Sequence, residues 1–234
     1  MEKEALQRIF NFLEKKGEHI IPLPVKIKLA MPIAKEELNV KGDLNLRYSN
    51  LIPLPEGLKV GGDLYLTNSN ITSLPEGLKV DGDLMLTFSE IASLPDDLQV
   101  GGSLNLSYAN INSLPKKLKV GGSLHIENTK ITSLPEGLKV NGNLGLTSSK
   151  ITSLPEGLKV GGYLTLSHTN ITSLPKGLEV GGGLYLRDTK ITLLPKGLKV
   201  YGKLYIEKSI LRKYTDDQLR DMVKPGFING EIYR

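Results

Sequence analysis

Residues 61 to 80 read Gly61-Gly-Asp-Leu-Tyr-Leu-Thr-Asn-Ser-Asn-Ile-Thr-Ser-Leu-Pro-Glu-Gly-Leu-Lys-Val80, and the chain returns to nearly the same wording every twenty residues. The second half, Ile71 to Val80, recurs unaltered from Ile131 and from Ile151, and close variants begin at Leu51, Ile91, Ile111, Ile171 and Ile191. A fixed period of this length is the mark of a stacked solenoid, in which each unit buries its apolar side against its neighbours. One unit cannot stand alone, because ordering its backbone costs more than its six aliphatic side chains return.

Within the unit, Leu64, Leu66, Ile71, Leu74, Leu78 and Val80 are apolar in nearly every copy and are expected to point inward. Leu64 and Leu66 are spaced as one face of a short strand, so Asp63, Tyr65 and Thr67 face the other way. Gly61-Gly62, replaced by Asp81-Gly82 and Asn141-Gly142, marks a tight turn whose second residue is expected at positive φ. That residue is glycine in all nine copies from Gly42 to Gly202. Pro75 and Gly77 make the return segment extended or irregular rather than helical. Stacked in register, equivalent residues should lie ~4.8 Å apart in a parallel sheet.

The phrase Leu64-Tyr-Leu-Thr-Asn-Ser-Asn-Ile71, followed by Leu74-Pro75, resembles the leucine-rich repeat. The Leu-Pro pair and short period are similar to the bacterial subclass found in secreted effectors and in bacterial and phage proteins. The resemblance covers Leu38 to Leu211 and implies a parallel-sheet solenoid of about nine coils that binds protein through its strand face. Two departures stand out. The family's first leucine is glycine or polar here (Gly61, Asp81, Asn141). Its asparagine is mostly a hydroxyl residue: Ser49, Ser69, Ser89, Thr129, Ser149, Thr169, Thr189 and Ser209. They leave a flatter β-solenoid as the alternative. Effectors that are ubiquitin ligases carry a catalytic cysteine in a further domain; this sequence has no cysteine, and that activity is excluded.

The expected organisation is a capping helix over 1–17, a degenerate capping coil over 18–40, repeats over 41–212, and a capping helix with tail over 213–234. Leu6, Ile9, Phe10 and Leu13 share one helical face, and Gly17 suits a C-cap. Thr215-Asp-Asp-Gln218 is a capping box opening a helix through Leu219, Met222 and Val223, which Pro225-Gly226 ends.

The absence of cysteine excludes disulfides and thiolate sites and suits a reducing compartment. No secretion signal is recognisable in Met1 to Ala5 and no apolar run approaches the length of a membrane span, so the expected location is cytoplasmic. A net charge of +5 is modest along a solenoid and does not indicate nucleic acid.

The outward strand positions vary while the framework hardly changes. One column runs Asn45, Tyr65, Met85, Asn105, His125, Gly145, Thr165, Tyr185, Tyr205; three residues on, another runs Tyr48, Asn68, Phe88, Tyr108, Asn128, Ser148, His168, Asp188, Lys208. Aromatic side chains on a rigid sheet supply contact area at low entropic cost. The expected contacts are Tyr48, Tyr65, Met85, Phe88, Tyr108, His125, Tyr163, Tyr185 and Tyr205, to a protein partner, by a module expected to be a monomer unless its role is structural. Asp43, Asp63 and Asp83 form a row of mutually repelling carboxylates, which reads as solvated charge eased by Arg47 or as a cation site. Lys59, Lys79, Lys119, Lys139, Lys159 and Lys199 form a row broken by Glu179, which reads as a solvated, edge-protecting surface. No catalytic motif, metal-ligand spacing or cofactor loop is present, so the expectation is a non-catalytic module without cofactor. The competing readings are a structural, self-assembling component and, remotely, a cation-dependent enzyme.

Overall fold

The computed structural model describes residue 11, residues 21–50 and residues 53–234. The chain is a parallel β-solenoid with a strict twenty-residue register: Leu64 pairs with Leu84 and Tyr65 with Met85, and the same step recurs along the array. Each coil contributes two short strands, such as Lys59–Val60 and Leu64–Tyr65, rather than the one that the spacing predicts. The strands of the Leu64–Tyr65 type join in one ten-stranded sheet running from Leu44–Asn45 to Ile232–Tyr233. Those of the Lys59–Val60 type form two five-stranded sheets, interrupted between Lys119–Val120 and Lys139–Val140. At that step the side-chain amide of Asn141 donates to Gly121 O (3.1 Å).

The backbone ladder runs in both directions between coils. Leu64 N–H donates to Asp83 O and Leu66 N–H to Met85 O, each at 2.8 Å, while Gly82 N–H reaches back to Gly62 O at 3.0 Å. The six apolar positions of the unit are all buried in one continuous core. Because each coil lends both backbone and side chains to the next, the repeat is stable only in the array.

The second glycine of each turn has a different cause from the one expected. None of Gly42, Gly62, Gly82, Gly102 or their equivalents lies at positive φ. From Gly62 onward the residue is glycine because coils touch there: a Cβ on Gly82 would sit 2.7 Å from the carbonyl of Gly62, and one on Gly202 would sit 2.6 Å from that of Gly182, whereas one on Gly42, in the first coil, would meet nothing. Positive φ falls elsewhere, at Gly77 and its equivalents on the return side, and at the whole column from Tyr48 to Lys208, with φ between 53° and 60°. This column turns the chain inward after the strand. Ser69 N–H and the Ser69 hydroxyl both bind Leu66 O, the hydroxyl at 2.6 Å. Ser89, Thr129, Thr169 and Thr189 bind the carbonyl three residues back in the same way, so the buried hydroxyl closes the turn of its own coil. Ser149 and Ser209 are buried without such a partner.

The expected N-terminal capping helix lies outside the described residues, apart from Asn11. The stretch expected to be a degenerate coil instead opens as helix α1, Leu23–Leu29. Pro22 is its N-cap and Pro24 sits in its first turn, where a missing N–H costs nothing. Ile27 is buried in the core, and strand Asn39–Val40 then joins Lys59–Val60. At the other end, Asp216–Val223 forms helix α2. Its capping box closes as expected: Gln218 N–H donates to Thr215 Oγ1 (3.2 Å) and Thr215 N–H to Gln218 Oε1 (2.9 Å). The tail does not hang free. Phe227–Ile228 pairs with Lys199–Val200 and Ile232–Tyr233 with Leu204–Tyr205, completing one more coil. Tyr205 and Tyr233 are partners across a step eight residues longer than the period, and the eight residues of α2 are the insertion.

The two glycine columns make opposite demands, and substitution separates them. Gly82→Ala is expected to cost about 1–3 kcal/mol through crowding against the preceding coil, read as a fall in Tm of roughly 2–4 °C per kcal/mol. Gly137→Asn, at φ +72° with open space around it, should leave Tm nearly unchanged, because Asn tolerates the left-handed region.

Candidate binding face

The ten-stranded sheet carries the variable columns outward in register. Tyr65, Met85, His125, Tyr185 and Tyr205 are half-buried by their neighbours above and below, while Tyr48, Phe88 and Tyr108 in the turn column stand 76%, 52% and 51% exposed. The expected contacts therefore fall into two kinds: rings that pack into the sheet surface and rings that project from it.

The aspartate row beside them is part of the framework. Asp63 N–H donates to Asp43 Oδ1 (2.8 Å), Asp83 N–H to Asp63 Oδ1 (2.7 Å), and Ser103 N–H to Asp83 Oδ1 (2.6 Å). The ladder continues through the hydroxyls of Ser103 and Ser123 and the amide of Asn143, which receives Tyr163 N–H at 3.0 Å. Each short oxygen-bearing side chain thus satisfies a backbone donor of the next coil, so the row is part of the framework as well as solvent-facing charge. These bonds, from Asp83 N–H first and then the Tyr65 hydroxyl, hold the Asp63 carboxyl below its ordinary range. Tyr65 is tied down twice, by its 2.7 Å bond to Asp63 and by the Arg47 guanidinium, 3.9 Å from its ring centre. Among the described residues no group of three or more His, Asp or Glu side chains is arranged to hold a metal.

Two aromatic clusters remain. Phe88 and Tyr108 stack at 4.5 Å between ring centres. Farther along, Tyr185 stacks on Tyr205 at 4.2 Å and Tyr205 on Tyr233 at 5.0 Å, with Tyr163 edge-on to Tyr185 at 6.0 Å. A Cβ on Gly183 would lie 3.2 Å from the Tyr185 ring, so the glycine leaves room for this stack. Burial, followed by the Tyr205 hydroxyl, pushes the Tyr185 phenol up. Tyr233 was not expected here. Its place in the column depends on the eight-residue insertion, which breaks the periodic spacing.

Between the clusters, His125 Nδ1 lies 3.2 Å from Glu127 Oε1, and the Ser107 hydroxyl donates to Glu127 Oε2 at 2.6 Å. The carboxylate occupies the space left by Gly145, where a Cβ would sit 2.6 Å from Glu127 Cδ. Burial works to raise the Glu127 carboxyl, but the bonds from His125 and Ser107 outweigh it and hold it below its ordinary value. The carboxylate stands between hydroxyl and imidazole, so the base in contact with the serine is Glu127, a weak one because its carboxyl is held below its ordinary value, and His125 does not reach the hydroxyl. His168 is separate, paired with Asp188 at 3.0 Å.

On the return side Glu179 does more than interrupt the lysine row. It bridges Lys159 (3.2 Å) and Lys199 (2.9 Å). A groove of about 680 Å³ lies where Asp97 and Lys117 replace the turn glycine, lined by Asp96, Gln99, Lys116 and Lys119 among others. Its walls carry opposite charges.

Compared with models of known protein families and with curated proteins, the chain has no match.

Two substitutions test the assignments. Asp63→Ala strands the Asp83 N–H and should cost about 1 kcal/mol, the low end for a partly exposed donor, whereas Asp63→Asn keeps an acceptor and most of the stability. Glu127 titrates below its unfolded value, so its contribution is in place at neutral pH and is lost as pH falls through that lowered value. Tm measured against pH should therefore fall less steeply on the acid side in Glu127→Gln than in the wild type.

Proposed function

We propose that the protein is a non-catalytic binding module that recognises a protein partner through the outward face of its ten-stranded sheet, in a reducing, cytoplasmic setting consistent with its lack of cysteine. The observation that carries this reading is the turn column. Asn68, Asn128, Ser148 and Asp188 occupy the same left-handed position as Tyr48, Phe88 and Tyr108. The polar copies make the turn, so the fold has no need of a large ring there.

A bulky side chain at positive φ carries backbone strain, and three such rings are more than half exposed. Strain and exposed apolar area together cost stability without serving the coil that bears them, which supports a role in contact. The tyrosine stack from Tyr163 to Tyr233 extends the same face, and His125 with Glu127 supplies a polar feature between the two clusters. The leucine-rich-repeat resemblance points to the same face.

The turn column makes a cleaner test than the half-buried tyrosines, whose removal would disturb packing. In a Tyr48→Asn, Phe88→Asn, Tyr108→Asn variant, Tm should be equal to or above that of the wild type, because Asn suits the left-handed region. Capture of a protein partner from an extract of the native organism should be lost. Undiminished capture by the folded variant would reject this column as the contact surface.

A further inference from the structure

Except at Val120, where the row is interrupted, each interior coil of the first strand row presents two carbonyls to its successor. Val60 O accepts from Asp81 N–H (2.9 Å) and Gly62 O from Gly82 N–H (3.0 Å); Val180 O accepts from Tyr201 N–H and Gly182 O from Gly202 N–H in the same way. In the last coil the equivalent carbonyls belong to Ile228 and Gly230, which follow the register through Val200 and Gly202. These carbonyls accept no backbone N–H among the described residues. Both are taken by one side chain: Arg220 Nη1 donates to Ile228 O, and Nη2 to Gly230 O at 2.9 Å.

The guanidinium is suited to this because its donors are rigid, planar and permanently charged, so one group replaces two parallel N–H donors. It is delivered by α2, whose Leu219 and Val223 are fully buried in the core, which fixes the arginine over the edge. An edge left with free carbonyls is a template for another strand. In this molecule the template has a defined complement. Gly61 and Gly62 donate backward to Val40 O and Gly42 O, so by the same register the N–H groups of Lys41 and Gly42 face away from the array at its N-terminal end. Those two donors match the two carbonyls that Arg220 covers.

We infer that Arg220 terminates the solenoid, and that the partner it excludes is the N-terminal edge of a second copy, which would otherwise stack head to tail. Such stacking is heterologous and does not close, so it would propagate.

Sedimentation velocity over a wide range of concentrations tests this. The wild type should remain a monomer, and Arg220→Met, which keeps bulk but removes the donors, should associate progressively with concentration. The N–H of Asn45 faces the same outer side as those of Lys41 and Gly42, so Asn45→Pro blocks the complementary edge without breaking the ladder to Tyr65. Asn45→Pro alone gives up the bond from Arg47 N–H to Asn45 Oδ1 (3.2 Å), so it should lower Tm slightly and stay monomeric, and in combination with Arg220→Met it should abolish association. A monomeric Arg220→Met protein would overturn the inference, whether its tail is ordered or frayed, since either state exposes an edge. Association that persists with Asn45→Pro would overturn the head-to-tail partner, and head-to-tail wild-type oligomers would overturn the cap.

Discussion

Everything in this molecule depends on successive coils approaching within hydrogen-bonding distance over most of their length. Backbone donors run forward from Leu64 and Leu66 and backward from Gly82, so any side chain between those planes would force the coils apart. The glycine column from Gly62 to Gly202 is the direct result. So is the choice of short oxygen-bearing residues at Asp43, Asp63, Asp83, Ser103, Ser123 and Asn143, which reach a donor one coil away without adding bulk. The aspartate row illustrates how position governs chemistry. Carboxylates at this spacing repel in isolation, yet each is turned towards a backbone N–H, and fixed dipoles offset part of the repulsion.

With the ladder and core occupying the invariant positions, variation is confined to what faces outward. The repeat then provides its own internal controls. Asn, Ser, Asp and Lys make the left-handed turn in some coils, so the turn itself does not require the tyrosines and phenylalanine that make it in others. The tyrosine stack is of another kind, since its rings are partly buried on one another and hold the end of the sheet together as well as extending its surface. Self-stacking is the built-in hazard of such a design. The same geometry that joins coil to coil would join chain to chain, and the final coil meets that hazard with an arginine and a helix rather than with bulk alone.

The period, inward leucines, parallel register, irregular return side and C-terminal capping box were all legible in the amino-acid order, because each is a local pattern repeated or a motif closed within four residues. Less was legible at the ends. Residues 18–40 read as a degenerate coil, yet Pro22 and Pro24 suit the start of a helix, and only the folded chain shows that helix, with Ile27 buried in the core. Tyr233 and its place in the stack lay hidden because the insertion of α2 shifts the tail out of phase.

The sequence by itself determined that this chain is a stacked repeat and which side chains form its interior, since twenty-residue periodicity leaves those choices no freedom. Tertiary structure alone decided why each framework residue is what it is. Whether a glycine answers to dihedral angle or to crowding, whether an aspartate meets solvent or a neighbour's N–H, and whether a tyrosine projects or packs all depend on the adjoining coil. That coil lies twenty residues away in the chain and one strand spacing away in space, so these roles appear only once the coils are stacked.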